Sequence, residues 1–395
     1  QIWADPAGLQ SKEKRIARTR QSMTRVSVHG EKWLIDDVPT YKGITYQGIN
    51  IEGLLLNARM VNAIFDDDNI HTRHIWKYPD TTEWDPNRNT NEFISMLPNY
   101  KRYGLTAVTV NLQGGAPSGY YRLDQFREFM KERGIPGKDS EIWEGLPSPE
   151  SQPWNSSGFN PDGSLKPEYI RRLSKIIEET DKLSMVLILG LFYFGQDERL
   201  KDEVSVKLAV QNTCEWILTS GYENVVIEIN NECSVPKYEH EILQPHRVHE
   251  LIELVKSIKS DSKGLLVGTS YGGNTIPENK VVKSSDFILL HGNGVVDPKR
   301  ISEMVEETRK LTEWHDMPVL FNEDDHFKFD HELNNFLCAI SSFAGWGYFD
   351  PGEGAGGNAA FGDYQKGYQL IPVNWSINTD RKKSYFDYLA AITSK

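Results

Sequence analysis

Short apolar runs alternate with longer stretches of helical period along most of the chain. The runs lie at Ile44 to Ile51, Leu105 to Val110, Met185 to Phe192, Val225 to Asn230, Leu265 to Thr269, Asp286 to Leu290, Val319 to Asn322 and Ser342 to Phe349. Runs this apolar and this short read as parallel strands covered on both faces. Helical spacing follows them. Phe93, Ile94, Leu97 and Lys101 share one face, as do Tyr169, Ile170, Leu173, Ile176 and Ile177 behind Pro167. Val206 to Leu218, Val248 to Ile258, Ile301 to Leu311, Leu333 to Ile340 and Lys383 to Ile392 read the same way. The connection after the fifth run is weak as a helix. Eight strands alternating with helices predict an α/β chain whose sheet closes into a (β/α)8 TIM barrel. A doubly wound open sheet is the alternative, but no Gly-x-Gly-x-x-Gly follows the first run.

The pattern begins after Pro39. Residues 1–24 are polar and read as an arm or surface helix. Residues 25–35 alternate on either side of His29-Gly30, a short β-hairpin that would plug one end of the barrel. The expected division is therefore 1–42, arm and hairpin, and 43–395, barrel. The stretches 65–90 and 114–165 are too long for simple connections and would wall a site at the strands' C-terminal ends.

Those strand ends carry the chemistry. The third run ends in Phe192-Tyr193, the fourth continues into Asn230-Asn231-Glu232, and the sixth into His291-Gly292-Asn293. The seventh ends in Asn322-Glu323-Asp324, and the eighth contains Trp346 and Tyr348. Two carboxylates, amides, a histidine and aromatics in one barrel mouth suit sugar chemistry. Glycoside hydrolysis needs one protonated and one ionised carboxyl group. Of Phe192 and Tyr193 only one can face the axis, and Tyr193 is the expected one. Gln113-Gly114-Gly115 either lets backbone approach a ligand or is a turn. Glu228 lies inside its strand and reads as an internal carboxylate with a buried partner.

Composition narrows the picture. The 395 residues carry a net charge of -12, which disfavours a nucleic-acid face. No stretch of about 18 apolar residues is present, so no membrane span is expected. Cys214, Cys233 and Cys338 are too scattered for a disulfide framework or a metal site, and Cys233 reads as packing. The chain begins at Gln1, and a removed secretory signal would make it secreted or periplasmic. His71, Arg73, His74 and Lys77 form a basic cluster that would suit an acidic or sulfated sugar if it folds over the pocket. No cofactor is expected.

The layout resembles clan GH-A, the (β/α)8 retaining glycoside hydrolases. The resemblance rests on Asn231-Glu232 ending the fourth strand and Glu323 ending the seventh, and it covers roughly residues 43–393. It implies that Glu232 is the acid/base, Glu323 the nucleophile and Asn231 the partner of the sugar 2-hydroxyl. It implies further that Trp346 floors the reacting sugar and that His291 lines the site, with an oligo- or polysaccharide as partner. Two departures stand out. The clan's Arg at the end of strand two is replaced by Val110-Asn111-Leu112-Gln113, and Arg59 is the candidate substitute. A Tyr frequent two residues after the strand-six histidine is Asn293 here. Two rivals remain: a metal-dependent hydrolase using His291, Asp324, Asp325 and His326, and a barrel that binds glycans without cleaving them.

Overall fold

The computed structural model describes residues 22–117, 152–352 and 366–394. Residues 1–21 of the expected arm 1–24, the middle of the loop 114–165 and most of the Gly-rich stretch after the eighth strand lie outside them.

Eight parallel strands form the central sheet: β6 (Leu56–Arg59), β7 (Ala107–Asn111), β8 (Val186–Phe192), β9 (Val225–Asn230), β10 (Val267–Gly268), β11 (Ile288–His291), β12 (Val319–Asp324) and β13 (Gly345–Tyr348). They pair in the order β10-β9-β8-β7-β6-β13-β12-β11. A parallel bridge between Ser270 and Leu289 joins the two ends of that order, so the sheet closes into a barrel. A helix follows each strand: α1 (Pro86–Arg102), α2 (Pro167–Lys182), α3 (Glu203–Thr219), α4 (His249–Ser257), α5 (Asn279–Ser284), α6 (Lys299–Arg309), α7 (Asn335–Ser341) and α8 (Asp380–Thr393). The chain is a (β/α)8 barrel.

Local chemistry fixes the helix ends. Asp85 caps α1, its Oδ1 accepting from the backbone N–H of Asn87 and Arg88, and Pro86 occupies the first turn. Asp202, Asn334 and Thr379 cap α3, α7 and α8 in the same way. The helix after β10 has only six residues, which agrees with the weak pattern in that stretch.

The hairpin is present as β1 (Val26–His29) and β2 (Lys32–Ile35), extended by β3 (Val38–Pro39) into a three-stranded antiparallel sheet. Trp33 joins Leu55, Ala107, Val186, Ile188, Val226, Phe287, Leu289 and Leu320 in a cluster separate from the outer core. These residues line the inside of the barrel, so Trp33 stoppers it as the sequence suggested.

The first barrel strand lies further along the chain than expected. Ile44 to Ile51 is not in the barrel; it folds as a small hairpin, β4 (Thr45–Tyr46) and β5 (Ile49–Asn50). Gln47 and Gly48 both have positive φ (49° and 81°), the turn that joins hairpin strands by two residues. The barrel strand is the next apolar run, Leu56–Arg59. With only four residues, two of them the inward polar Asn57 and Arg59, it shows no apolar run of the length seen in the other strands.

Candidate active site

Inward side chains change character along the barrel axis. Above the apolar layer lies a polar one: Asn57, Thr109, Glu228, Ser270 and Asn322. Thr109 Oγ1 donates to Asn57 Oδ1 (3.1 Å), and Asn57 Nδ2 donates to the Asn322 carbonyl (2.9 Å). This layer is buried, and it supports the carboxylates at the strand ends.

Glu232 and Glu323 meet there across His291. His291 Nδ1 lies 2.9 Å from Glu232 Oε1 and 3.9 Å from Glu323 Oε2. One oxygen of each carboxylate and one nitrogen of the histidine all lie within 4.8 Å of one another. Asn293 Nδ2 donates to Glu323 Oε1 at 2.6 Å. Arg59 pairs with Glu323 through Nε, with Glu228 through Nη1 (3.0 Å), and donates to Asn231 Oδ1 through Nη2. It is therefore the cation beside the expected nucleophile, reached from the first barrel strand rather than the second.

Backbone geometry aims Glu232. Its φ of +51° lies in the left-handed region, which a non-glycine residue occupies at a cost of about 1–3 kcal/mol. Hydrogen bonds on both sides hold it there. Its N–H donates to Ser270 Oγ (2.9 Å), the next N–H, of Cys233, donates to the Ser270 carbonyl (2.8 Å), and the Tyr238 hydroxyl donates to the Asn231 carbonyl. Burial raises the Cys233 thiol, in keeping with packing.

The charges distribute unevenly. Burial opposes the charge on Glu228, but Arg59, His291 and Ser270 outweigh it and hold its carboxyl below the ordinary value. Burial pushes the Glu323 carboxyl up, only partly countered by Arg59 and His291, and the Glu232 charge adds to the rise. Burial pulls the His291 imidazole down, but Glu323 and Glu232 outweigh it and raise it. Glu323 and His291 therefore each hold a proton to higher pH than the free groups do.

Other expected site residues fall into two groups. Tyr193 lines this mouth: burial and the charges of Glu323 and Glu232 raise its phenol. Gln113 does not. It is fully buried, donates to Ser157 Oγ and the Gln196 carbonyl, and accepts the Tyr193 N–H at 3.1 Å. Its amide is consumed in holding Tyr193. Trp346 also turns away. Its strand neighbours Gly345 and Gly347 face inward, against Leu55 and Asn57, so its ring points to the helices and stacks on Phe336 at 4.7 Å. Fully buried, with its indole N–H on Asp324, it cannot floor a sugar.

The rival four-ligand metal set is not assembled. His291 belongs with Glu232 and Glu323, whereas Asp324, Asp325 and His326 form a separate group. Asp324 is fully used by Trp346, Asn335 and His326, and a guanidinium sits on Glu323. In the basic cluster, Arg73 is spent on Asp66, while His71, His74 and Lys77 are exposed. Ser270 and Tyr238 carry positional roles that the sequence reading missed, because a hydroxyl past a strand end has no pattern of its own.

No family model and no curated protein matches the chain. Solved structures do. A glycoside hydrolase family 5 protein from Bacteroides vulgatus is 13% identical with a TM-score of 0.51, over 94% of this chain and 73% of that one. An endo-1,4-beta-mannanase from Rhizomucor miehei (13%, 0.45, 82% and 90%) and a beta-glucosidase from Thermotoga maritima (11%, 0.48, 86% and 98%) resemble it more weakly. The likeness to the Bacteroides protein is one of fold. Among the described residues, no helix is long and apolar enough to cross a membrane.

Proposed function

We propose that the chain is a retaining β-glycosidase acting on an oligo- or polysaccharide. The observation that carries this reading is the approach of Glu232 and Glu323 within 4.8 Å at the mouth of a (β/α)8 barrel. Retaining enzymes hold their carboxyl groups about 5–5.5 Å apart, and inverting ones about 6.5–9.5 Å. The fold it shares with the glycoside hydrolase family 5 protein from Bacteroides vulgatus adds support.

Glu323 attacks the anomeric carbon while Glu232 gives its proton to the departing glycosidic oxygen. The glycosyl ester on Glu323 is then released by water, whose proton returns to Glu232. Arg59 and Asn293 orient the attacking carboxylate, and His291 holds the proton donor. Asn231, gripped by Arg59, is placed to meet the hydroxyl next to the reacting carbon.

The test is hydrolysis of a panel of plant and algal glycans, with the anomer of the first product followed by proton NMR. The expected result is a β-product that mutarotates afterwards. An α-product first, or no cleavage of any β-glycan, refutes the reading.

A further inference from the structure

Glu228 takes no part in the double displacement, yet three donors converge on it. Arg59 Nη1 reaches Oε2 at 3.0 Å, while Ser270 Oγ and Asn322 Nδ2 reach Oε1 at 2.6 and 3.2 Å. Each donor also touches the reacting pair. Arg59 pairs with Glu323 and holds Asn231. Ser270 accepts the Glu232 N–H on the same oxygen that donates to Glu228. Asn322 directly precedes Glu323, and its carbonyl is fixed by Asn57.

A fully buried carboxylate is costly unless it is paired and hydrogen-bonded, and an apolar side chain of similar size would fill the same space. Packing alone therefore does not account for an acid here. What the acid supplies is two acceptor oxygens, Oε2 taking Arg59 and Oε1 taking both Ser270 and Asn322. We propose that Glu228 is a positioning residue that joins the two reacting carboxylates, bracing Glu323 through Arg59 and, through Ser270, the left-handed backbone that aims Glu232. The proposal rests on the roles given above to Glu232 and Glu323.

The charged and titratable groups around this bridge are Arg59 from β6, Tyr193 after β8, Glu232 and Cys233 after β9, His291 from β11 and Glu323 from β12. Removing the negative charge of Glu228 leaves Arg59 to Glu323 alone and takes an anion from the surroundings of His291. Both groups then release their protons at lower pH, by about one unit. Removing the Ser270 hydroxyl frees the Glu232 backbone without changing any charge.

The experiment follows the His291 ring by NMR pH titration in wild type, Glu228→Gln and Ser270→Ala, and measures rates per titrated active site in the same proteins. In Glu228→Gln the His291 titration and the acid limb of kcat/KM move down together. In Ser270→Ala they stay in place while kcat falls about 10- to 100-fold with little change in KM, and Ser270→Thr restores the rate. An unmoved His291 titration in a folded Glu228→Gln protein overturns the link to Glu323. If Glu228→Gln does not fold, the serine pair decides, and wild-type kcat in Ser270→Ala overturns the proposal. If the wild type cleaves no glycan, the glycosidase reading fails, while the His291 titration still judges the bridge.

Discussion

Glu323 and Asp324 are adjacent in one strand, and each sits with a second carboxylate and a histidine. In both groups the ligand atoms lie within 4.8 Å of one another. The surroundings separate them. Glu323 faces inward with Glu232 and His291, where one guanidinium serves both Glu228 and Glu323 and burial raises the Glu323 carboxyl. Asp324 faces the helices, where the Trp346 indole (3.0 Å), the Asn335 amide (2.9 Å) and His326 (3.0 Å) satisfy it. Its carboxylate works as a bracket between strand and helix. The same residue types thus make a reactive group where two carboxylates face each other across a buried histidine, and a structural clasp where every oxygen has a fixed donor.

Four substitutions sharpen that contrast. Glu323→Gln removes the nucleophile and should lower kcat/KM by at least about 10⁴-fold, equivalent to roughly 5.5 kcal/mol, with the circular dichroism unchanged. Steady-state kinetics checks it, and near-normal turnover would remove Glu323 from its role. Arg59→Met strands two buried carboxylates, Glu228 and Glu323, and should cost about 3–5 kcal/mol in urea unfolding. Asp324→Ala is the control on the other side: about 2–3 kcal/mol of stability is lost as buried donors go unpaired, while the rate per folded molecule stays near wild type. A rate collapse in that variant would erase the distinction between the two groups.

The smallest effect concerns pH. Burial lowers the His326 imidazole, but Asp324 and Asp325 outweigh it and raise it to about 9. A raised imidazole contributes stability in full below about 6.5, lost as pH rises through about 9. Melting temperatures of wild type should therefore fall across that window by the equivalent of about 1 kcal/mol or less, given its partial exposure. His326→Gln should flatten the slope.

Seven of the eight barrel strands, the plug and the pairing of Glu232 with Glu323 were legible because they depend on period and on what ends an apolar run. The first strand was not. It has only four residues, of which Asn57 and Arg59 are polar and turn to the site, so function itself erased the signal, and the neighbouring run Ile44 to Ile51 looked more like a strand than the real one. Trp346 and Gln113 show the other limit. At the end of a strand, pointing in or out depends on one residue of register, and β12 and β13 lose regular register where they pair near Asp324. Arg59 stood out only as the replacement for an absent arginine, since its partners lie far away in the chain.

The central claim is that Glu323 forms the covalent bond and Glu232 manages the proton. The most direct measurement is peptide-mapping mass spectrometry after incubation with a set of activated 2-deoxy-2-fluoro-β-glycosides. The account predicts one sugar per chain, attached at Glu323 and absent in Glu323→Gln. Attachment at Glu232 or at another residue would contradict it.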